Sequence, residues 1–588
     1  MTLTIPQFPL VVDFADFFPI GAKEPSSTDS RPSEARPSFF VFDGTLEHRA
    51  ALRARLKALG ETPPEHDADL FWALYARLGN AALSEMFGAY VAVFWDEKRQ
   101  AITAVRDPWG VRSIYYAYDD RRIAFSTDVA TLVGWLGRRD IDLQSLRLYL
   151  TLQYIPAPRT MITGIYKLPA GELLTAKPGM VTLERYFMPS FVVEEGKSVD
   201  DWARTIRQSL ESAIDRRLEE LGGERAVGSF LSSGLDSTIV AALLKARIPV
   251  RTFSLCFPGE RDECPAAEAS AKFLGTVHAS RKVDRETFMA TVDTFVRVQN
   301  EPLADPSAVA LYLLSEAAAE TVDVVFSGEG ADELFGGYRV YQEVFALRPA
   351  QRLSAVFSPK MRCKLEQWIR ALPPFYGQNY LFRAFTDVRR RYVGGAHIFP
   401  GHAAALVGYI HPAYRDRFSA LDDPVDWMHR QTPPPPLEDA IHYMQWIDLM
   451  YWMPNDILAK GQRMTAAHRL ALAMPFLDPE VYEVARRIPS ALNVDARETK
   501  RLLRYAFRDV VPETALKRRK LGFPVPLRAW LRDGQARRLV EDFLASEAGA
   551  YFDAGALFRL ADEQDSGAAD HARKIWLLFI LSRWLRSI

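Results

Sequence analysis

Short runs of alternating apolar and polar residues, separated by turn residues, fill the first third of the chain. Such alternation is typical of half-buried strands joined as antiparallel hairpins. The runs lie at 38–44, 88–107 and 113–128. A segment with the apolar period of a helix, 68–79, lies among them. Residues 1–190 are therefore predicted to form an α+β unit built on antiparallel sheet.

From residue 197 onward, helix-period stretches alternate with short apolar runs. The segment 200–221 has the apolar spacing of a long amphipathic helix. Apolar runs of strand length lie at 226–231, 250–257 and 322–327. This alternation predicts a parallel, doubly wound sheet, and helical patterns dominate beyond Tyr338. The second predicted unit spans 197–588 and is an α/β domain with a helical C-terminal part.

Composition and charge narrow the classes of protein that fit this pattern. A net charge of −1 gives no sign of a nucleic-acid partner or of attraction to an acidic membrane. Three scattered cysteines predict neither a disulfide framework nor a zinc site. The first residues lack the basic start of a signal peptide, and no apolar run reaches the ~20 residues that span a bilayer. A cytoplasmic protein without a membrane partner is expected.

A loop rich in Ser and Gly joins a predicted buried strand to a predicted helix within 226–246. It reads SSGLDS, from Ser232 to Ser237. Small residues let backbone N–H groups close around an anion, and the helix start adds a positive partial charge. The loop lacks the Gly-Lys-Ser/Thr ending of a Walker A motif. Asp236 would repel a phosphate unless a cation lay between them, which favours a metal–nucleotide complex over a plain turn.

A second acidic loop repeats this arrangement at 324–338, where SGEGADE follows an apolar run and opens a predicted helix. Ligands of open parallel sheets bind beyond the carboxyl ends of the strands. We therefore expect Asp236 and Asp332 to converge on one magnesium ion while Glu329 faces the reacting group. Taken by itself, this loop leaves open the alternative that its acids only stabilise a helix dipole.

These loops resemble known families. SSGLDS resembles the pyrophosphate loop of ATP-pyrophosphatases, and SGEGADELFGGY resembles the asparagine synthetases. Further similar segments are EPLADPSAVALYLLSE (301–316), PNDILAKGQRMTAAHRLALAMPFLD (454–478) and LKRRKLGFPVPL (516–527). The front unit resembles the glutaminase domain of that superfamily through DADLFWALY, MFGAYVAVFWD, RDPWGVRSIYY, YIPAPRT and GIYKLPAG. The resemblance implies an N-terminal-nucleophile-like sandwich followed by an ATP-pyrophosphatase domain.

The resemblance also implies roles for individual residues. The implied ATP-binding residues are Leu231, Ser232, Ser233, Gly234, Asp236, Ser237, Leu255, Ser327 and Gly328. Asp236 and Asp332 would hold Mg2+. Glu329 would be the catalytic acid that helps to form an acyl-adenylate and takes the proton from the attacking nitrogen. Lys520 would be the catalytic lysine that binds the departing pyrophosphate.

The front unit departs from the family. The family's glutaminase half needs a cysteine exposed by removal of Met1, whereas residue 2 is Thr. Its Asn-Gly-Glu, which grips glutamine, reads Asp43-Gly44-Thr45, although Asp67 is retained. We therefore expect an inactive glutaminase-like domain that serves as a structural remnant.

The synthetase half departs as well. The family's Asp-Arg-Met begins with Gln462, and a Glu and an Arg of the family are replaced by Ala471 and Ala473. Their loss removes charged groups near the expected acyl pocket, so aspartate would be poorly held. The sequence therefore predicts another carboxylate, larger or less charged.

The leading hypothesis is an AMP-forming amide ligase of the asparagine synthetase superfamily, and a ligase of natural-product biosynthesis is its specialised alternative. It would activate a small-molecule or peptide carboxylate and transfer the acyl group to ammonia or an amine. A lasso-peptide or lactam cyclase that forms an intramolecular amide, a true asparagine synthetase and a catalytically dead scaffold remain alternatives. β-Lactam synthetases resemble the chain less, because they lack the glutamate at the position of Glu329. A homodimer or a partner protein of the same pathway is left open.

Overall fold

The structure is a computed structural model. It describes residues 10–13, 39–259, 262–372, 377–399, 406–518, 522 and 525–588. Thr2 and Lys520, which carried predictions, lie outside the described residues. Among the residues that are described, no helix combines the length and the apolarity needed to cross a membrane.

The front part contains two antiparallel sheets. Their strands are β1 (Leu10–Asp13), β2 (Phe40–Leu46), β3 (Gly88–Asp96), β4 (Ala101–Arg106), β5 (Tyr115–Tyr118), β6 (Arg122–Ser126), β7 (Tyr166–Lys167), β8 (Glu172–Lys177) and β9 (Met180–Arg185). The sheet orders are β2-β3-β4-β8-β9 and β1-β6-β5-β7. In the described part of this region, the sheets are flanked by the helices α1 (Arg49–Ala58), α2 (Asp67–Leu78), α3 (Val129–Leu136) and α4 (Leu143–Leu152). The predicted helix at 68–79 is confirmed as α2.

Strand β3 shows how the sandwich forms. Successive side chains of a strand point to opposite faces. Val91 and Val93 lie in the core between the two sheets, whereas Tyr90 and Phe94 pack beneath α1 and α2. Helices α3 and α4 cover the outer face of the other sheet. The result is a helix–sheet–sheet–helix sandwich, which confirms the predicted fold of this part.

The second part is built on a parallel sheet. Its strands are β10 (Val227–Phe230), β11 (Arg251–Cys256), β12 (Val277–Lys282), β13 (Val324–Phe326) and β14 (Ala471–Ala473). The order is β12-β11-β10-β13-β14, and every pairing is parallel. The helices of this region are α5 (Val199–Leu221), α6 (Leu235–Lys245), α7 (Cys264–Leu274), α8 (Arg285–Gln299), α9 (Pro306–Ala319) and α10 (Ala331–Phe335). Because the chain leaves β10 toward β11 and later returns to its other side as β13, the strand order reverses between β10 and β13, where ligands of such sheets bind.

Helices dominate the remainder, as the sequence predicts. They are α11 (Glu343–Ser354), α12 (Pro359–Ala371), α13 (Gln378–Phe385), α14 (Arg415–Ser419), α15 (Pro424–Gln431), α16 (Ala440–Ile447), α17 (Leu458–Ala466), α18 (Pro479–Ala485), α19 (Ser490–Asn493), α20 (Arg501–Ala506), α21 (Glu513–Lys517), α22 (Leu527–Trp530), α23 (Gln535–Leu544), α24 (Ala554–Ser566) and α25 (Ala572–Ser587). A π-helix, Asp448–Ile457, joins α16 to α17. Strand β14 interrupts this helical region because Ala471–Ala473 returns to the parallel sheet.

A buried ion cluster connects the front sandwich to the second part. Lys460 contacts Asp305 and lies 3.3 Å from Asp456, which is fully buried. Gln153, from the end of α4, donates a hydrogen bond of 2.7 Å to Asp456. Burial alone would lower the pKa of Lys460, but the two carboxylates raise it above its usual value. The ammonium therefore stays charged and holds two acids that would otherwise repel each other.

Replacing Lys460 by Met is expected to destabilise the protein by about 3–5 kcal/mol, because two buried carboxylates lose their partner. The midpoint of urea unfolding measures the effect. Lys517→Met is the matched control, since Lys517 also pairs with an acid four residues before it, Glu513, but with both side chains exposed. The control should change the stability by less than about 1 kcal/mol. Equal effects of the two substitutions would contradict the assignment.

Candidate functional site

The SSGLDS loop is held in a tight turn by its own hydroxyl groups. Ser232 donates its backbone N–H to Ser237 Oγ at 3.1 Å, and Gly234 donates to Ser232 Oγ at 3.0 Å. Gly234 is the extended residue before α6, so Asp236 lies in the first turn of that helix. The predicted strand–loop–helix arrangement is present, with the positive end of the helix dipole at the loop.

The loop after β13 packs directly against this first loop. A Cβ added to Gly328 would lie 2.8 Å from Asp236 Cβ and 3.0 Å from the backbone nitrogen of Ser237. A side chain at Gly328 would therefore push the loops apart. Ser327 donates its N–H to the carbonyl of Ala473 at 2.9 Å, which ties the second loop to β14. The two loops that the sequence singled out thus form one site at the carboxyl ends of neighbouring strands.

Asp236 and Asp332 converge on the ammonium group of Lys500. Its Nζ lies 2.5 Å from Asp236 Oδ2 and 2.5 Å from Asp332 Oδ1. All three residues are buried, with exposures of 8%, 7% and 3%. A Cβ on Gly337 would lie 1.8 Å from Asp332 Oδ1 and 2.2 Å from Lys500 Cε, so only glycine fits beside this cluster. The sequence predicted the convergence of the two acids but not the lysine, which is far away in the chain in an ordinary basic segment.

A small cavity of about 50 Å³ opens beside this cluster. Its lining residues are Ser232, Ser233, Gly234, Leu235, Asp236, Glu263, Gly337, Thr499, Lys500, Arg504, Arg518 and Gly522. Arg518 donates to Glu263 at 3.0 Å, and Ser233 Oγ donates to the same carboxylate oxygen at 3.0 Å. One wall therefore combines loop hydroxyls and backbone with three basic side chains, a set that suits a phosphate group. Sequence reasoning missed Arg504 and Arg518.

Glu329 lies on the other side of the second loop and is half-buried. Ser327 donates its hydroxyl to this carboxylate. A Cβ on Gly461, in α17, would lie 4.0 Å from Glu329 Oε1 and 3.1 Å from Leu472 Cδ2. Gly461 therefore lies beside Glu329, a neighbour that the sequence pattern did not reveal.

The remaining predicted nucleotide contacts lie at strand ends. Leu231 packs with Ala241 and Ala271, and Leu255 lies in the main core. The carbonyl of Leu231 accepts a hydrogen bond from Ser254. Leu231 directly follows β10, and Leu255 is next to the last residue of β11. Both therefore lie at strand ends, as the predicted role requires. Their contact with adenine or ribose stays a prediction.

Ala473 replaces a charged residue of the family that was expected near the acyl pocket, but it lies in the core. It is 1% exposed and belongs to the core cluster around Phe326 and Phe476. Its neighbour Leu472 faces the opposite side of β14, toward Gly461. The small side chain at 473 therefore fills core space rather than lining an open pocket.

Several buried acids and tyrosines support the second loop, and the sequence did not single them out. Tyr338 donates to Glu333 at 2.6 Å. Tyr341 and Tyr392 donate to one oxygen of Asp448 at 2.5 and 2.7 Å. Burial raises the pKa of Asp448 well above its usual value. Because Asp448 begins the π-helix, these hydrogen bonds fix an irregular helix beside the site, a common setting for such helices.

In the front domain, Asp67 contacts two nearby residues of the same domain. Asp67 Oδ2 accepts the N–H of Leu46 at 3.0 Å, and Arg49 Nη1 lies 3.8 Å from its other oxygen. Asp43, which replaces an asparagine of the family motif, pairs with Arg112 at 3.6 Å. The acid retained from the glutamine site is thus engaged within its own domain.

Comparisons with known proteins agree with this architecture. The asparagine synthase family matches residues 205–586, and the glutamine amidotransferase domain family matches residues 27–187. A protein of Mycobacterium tuberculosis named as a glutamine-hydrolysing asparagine synthetase is 34% identical over 578 residues, covering 94% of this chain and 85% of its own. Asparagine synthetase 1 of Bacillus subtilis is 31% identical over 552 residues, covering 93% and 85%. Amidase chry2 of Gibberella zeae is 24% identical over 532 residues, covering 82% and 75%. Because the asparagine synthase family matches more than half of the chain and relatives at 31–34% identity cover most of it, the chain belongs to the asparagine synthetase family.

Proposed function

We propose that this protein is an AMP-forming amide ligase that activates a carboxylate as an acyl-adenylate and transfers the acyl group to ammonia or an amine. One observation carries the proposal. Two loops at the ends of neighbouring parallel strands bring Asp236 and Asp332 to a single position of positive charge, beside a cavity lined by hydroxyls and basic side chains. This arrangement suits the triphosphate of ATP, which the family uses.

The chain's own residues can supply the charge stabilisation that adenylation needs. As pyrophosphate leaves, negative charge grows on its oxygens, and positively charged donors aimed at that position stabilise it. Lys500, Arg504 and Arg518 line the cavity and fit this task. Glu329, on the other side of the loop, is placed to take the proton from an attacking nitrogen. Lys520 remains a predicted further partner of the pyrophosphate.

The donor set also fits magnesium. Asp236 and Asp332 present carboxylate oxygens to one point, and such oxygens are the ligands that Mg2+ prefers. The Lys500 ammonium lies 2.5 Å from an oxygen of each acid, which supports the proposal that the two acids hold positive charge between them. Asp236 and Asp332 would hold Mg2+ when it binds with the nucleotide, and Mg2+ would neutralise phosphate charge.

The nitrogen is proposed to come from ammonia or a substrate amine rather than from glutamine. Three features of the front domain support this: Thr2 in place of cysteine, the pairing of Asp43 with Arg112, and the contacts of the retained Asp67 with Arg49 and Leu46. The acyl substrate is proposed to be a carboxylate other than aspartate, because Gln462 and Ala471 replace charged residues of the family.

ATP–pyrophosphate exchange over a panel of carboxylates, including peptides and aspartate, tests adenylation. We expect exchange that depends on one class of carboxylate and is lost in Asp236→Ala. In Glu329→Gln, the rate of amide formation should fall by about 10²–10⁴-fold, because the nitrogen loses its proton acceptor. Glu320→Gln, an exposed acid at the end of α9, is the control and should be unaffected. Exchange that survives Asp236→Ala would rule out the assigned site.

Lys500→Met tests whether the two aspartates can hold a divalent cation. Without the ammonium, the facing carboxylates repel each other, so Mg2+ without nucleotide should raise the Tm of the variant more than that of the unaltered protein. Differential scanning calorimetry with and without Mg2+ measures this difference. Equal shifts of the two proteins would contradict the proposed magnesium site.

Thr2→Ala tests the nitrogen source. We expect the rate of amide formation with ammonia or amine to be unchanged, and glutamine to support neither product nor glutamate release above background. Glutamate release from glutamine by the unaltered protein, lost in Thr2→Ala, would instead show a working threonine nucleophile.

A further inference from the structure

Two of the three cysteines meet at the edge of the nucleotide site, although their spacing gave no sign of pairing. Cys256 is the last residue of β11 and Cys264 is the first residue of α7. Their Cα atoms are 5.6 Å apart and their side chains face each other. This Cα separation is in the range that a disulfide spans. Both residues are buried, at 1% and 3% exposure.

Glu263, the residue before Cys264, lines the cavity beside Lys500. Glu263 accepts hydrogen bonds from Ser233 of the first loop and from Arg518, each at 3.0 Å. The Cys264 N–H in turn donates to Asp262 at 3.0 Å. The position of the Glu263 carboxylate therefore depends on how the start of α7 is held.

The other end of the pair is fixed by the sheet. Cys256 accepts a hydrogen bond from the N–H of Val283 at 2.9 Å, and its neighbour Leu255 is buried in the main core. A bond between the two sulfurs would thus anchor the start of α7 to β11, which is paired on both sides in the sheet. Without the bond, the start of α7 would rely on its packing alone.

We propose that Cys256 and Cys264 are a thiol-oxidation site whose disulfide strengthens binding of ATP in the adjacent cavity. The disulfide holds Glu263 where it orients Ser233 and Arg518 toward the phosphates. In the dithiol form, Glu263 is less restrained, and both partners become less well ordered. This inference rests on the proposed function, because it takes the cavity to be the ATP site.

The oxidant is a low-molecular-mass disulfide such as oxidised glutathione. The thiolate of one cysteine attacks a sulfur of the oxidant, forming a mixed disulfide and releasing one thiol. The second cysteine then attacks its partner's sulfur, forming the Cys256–Cys264 bond and releasing the second thiol. The two protein thiols lose two electrons and two protons in total, and the oxidant gains them.

The experiment compares the full-length protein after treatment with oxidised glutathione and with a thiol reductant. Mass spectrometry of alkylated, digested protein reports the disulfide, and isothermal titration calorimetry reports the affinity for ATP with Mg2+. We expect a Cys256–Cys264 disulfide after oxidation and about fivefold tighter ATP binding, the effect of restoring one well-placed hydrogen bond. Cys256→Ser and Cys264→Ser should bind ATP like the reduced protein under both treatments.

Two further variants separate formation of the disulfide from its effect on ATP affinity. Cys363→Ser removes the third cysteine and should leave the response to oxidation intact. Glu263→Gln should still form the disulfide but lose the difference in ATP affinity, because the link to Ser233 and Arg518 is weakened.

Three outcomes would overturn the inference. These are an absence of the disulfide under oxidant, equal ATP affinity in both redox states, and stoichiometric zinc held by the two thiols and Asp262 in place of a disulfide. Asp262 is relevant because its carboxylate lies within 4.8 Å of both sulfurs. An absence of ATP binding in both redox states would instead count against the proposed function.

Discussion

The ammonium group of Lys500, 2.5 Å from a carboxylate oxygen of Asp236 and 2.5 Å from one of Asp332, satisfies the main electrostatic constraint of this molecule. Two buried carboxylates at the ends of neighbouring strands would repel each other, and the low polarity of their surroundings would make that repulsion costly. A cation between them turns repulsion into a link between the two loops. The glycines at 328 and 337 leave room for this approach, since a side chain at either position would overlap the cluster.

The same pattern recurs where the front sandwich meets the second part. Lys460 lies between Asp305 and Asp456, and Gln153 completes the network from the front domain. A further hydrogen bond of 3.0 Å runs from the Trp109 indole to the carbonyl of Leu477. The front domain is thus packed onto the synthetase half through the buried ion cluster and the indole hydrogen bond.

The cavity beside Lys500 combines this charge pattern with local restraint. Its basic residues reach it from segments around 500 and 518, and Glu263 holds one of them against the first loop. A carboxylate among basic side chains limits their mutual repulsion and sets their direction. The cysteine pair lies at the start of α7, next to Glu263, and the position of the Glu263 carboxylate depends on how this end of the helix is held.

The amino-acid sequence by itself determined the elements and the two loops. Strand alternation in the front part, the strand–helix alternation after 197 and the turn residues of SSGLDS and SGEGADE act over a few neighbouring residues, so they can be read locally. The meeting of Asp236 and Asp332 also followed, because parallel strands place their carboxyl ends at one edge.

Only the tertiary structure decided what lies between and around those acids. Lys500 is 264 residues from Asp236, and Asp448 is 107 residues from Tyr341. Cys256 and Cys264 are close in sequence, yet their contact depends on where β11 ends and α7 begins. Such contacts arise from packing between distant segments, and no local periodicity or motif encodes the partner of a lone lysine, tyrosine or cysteine.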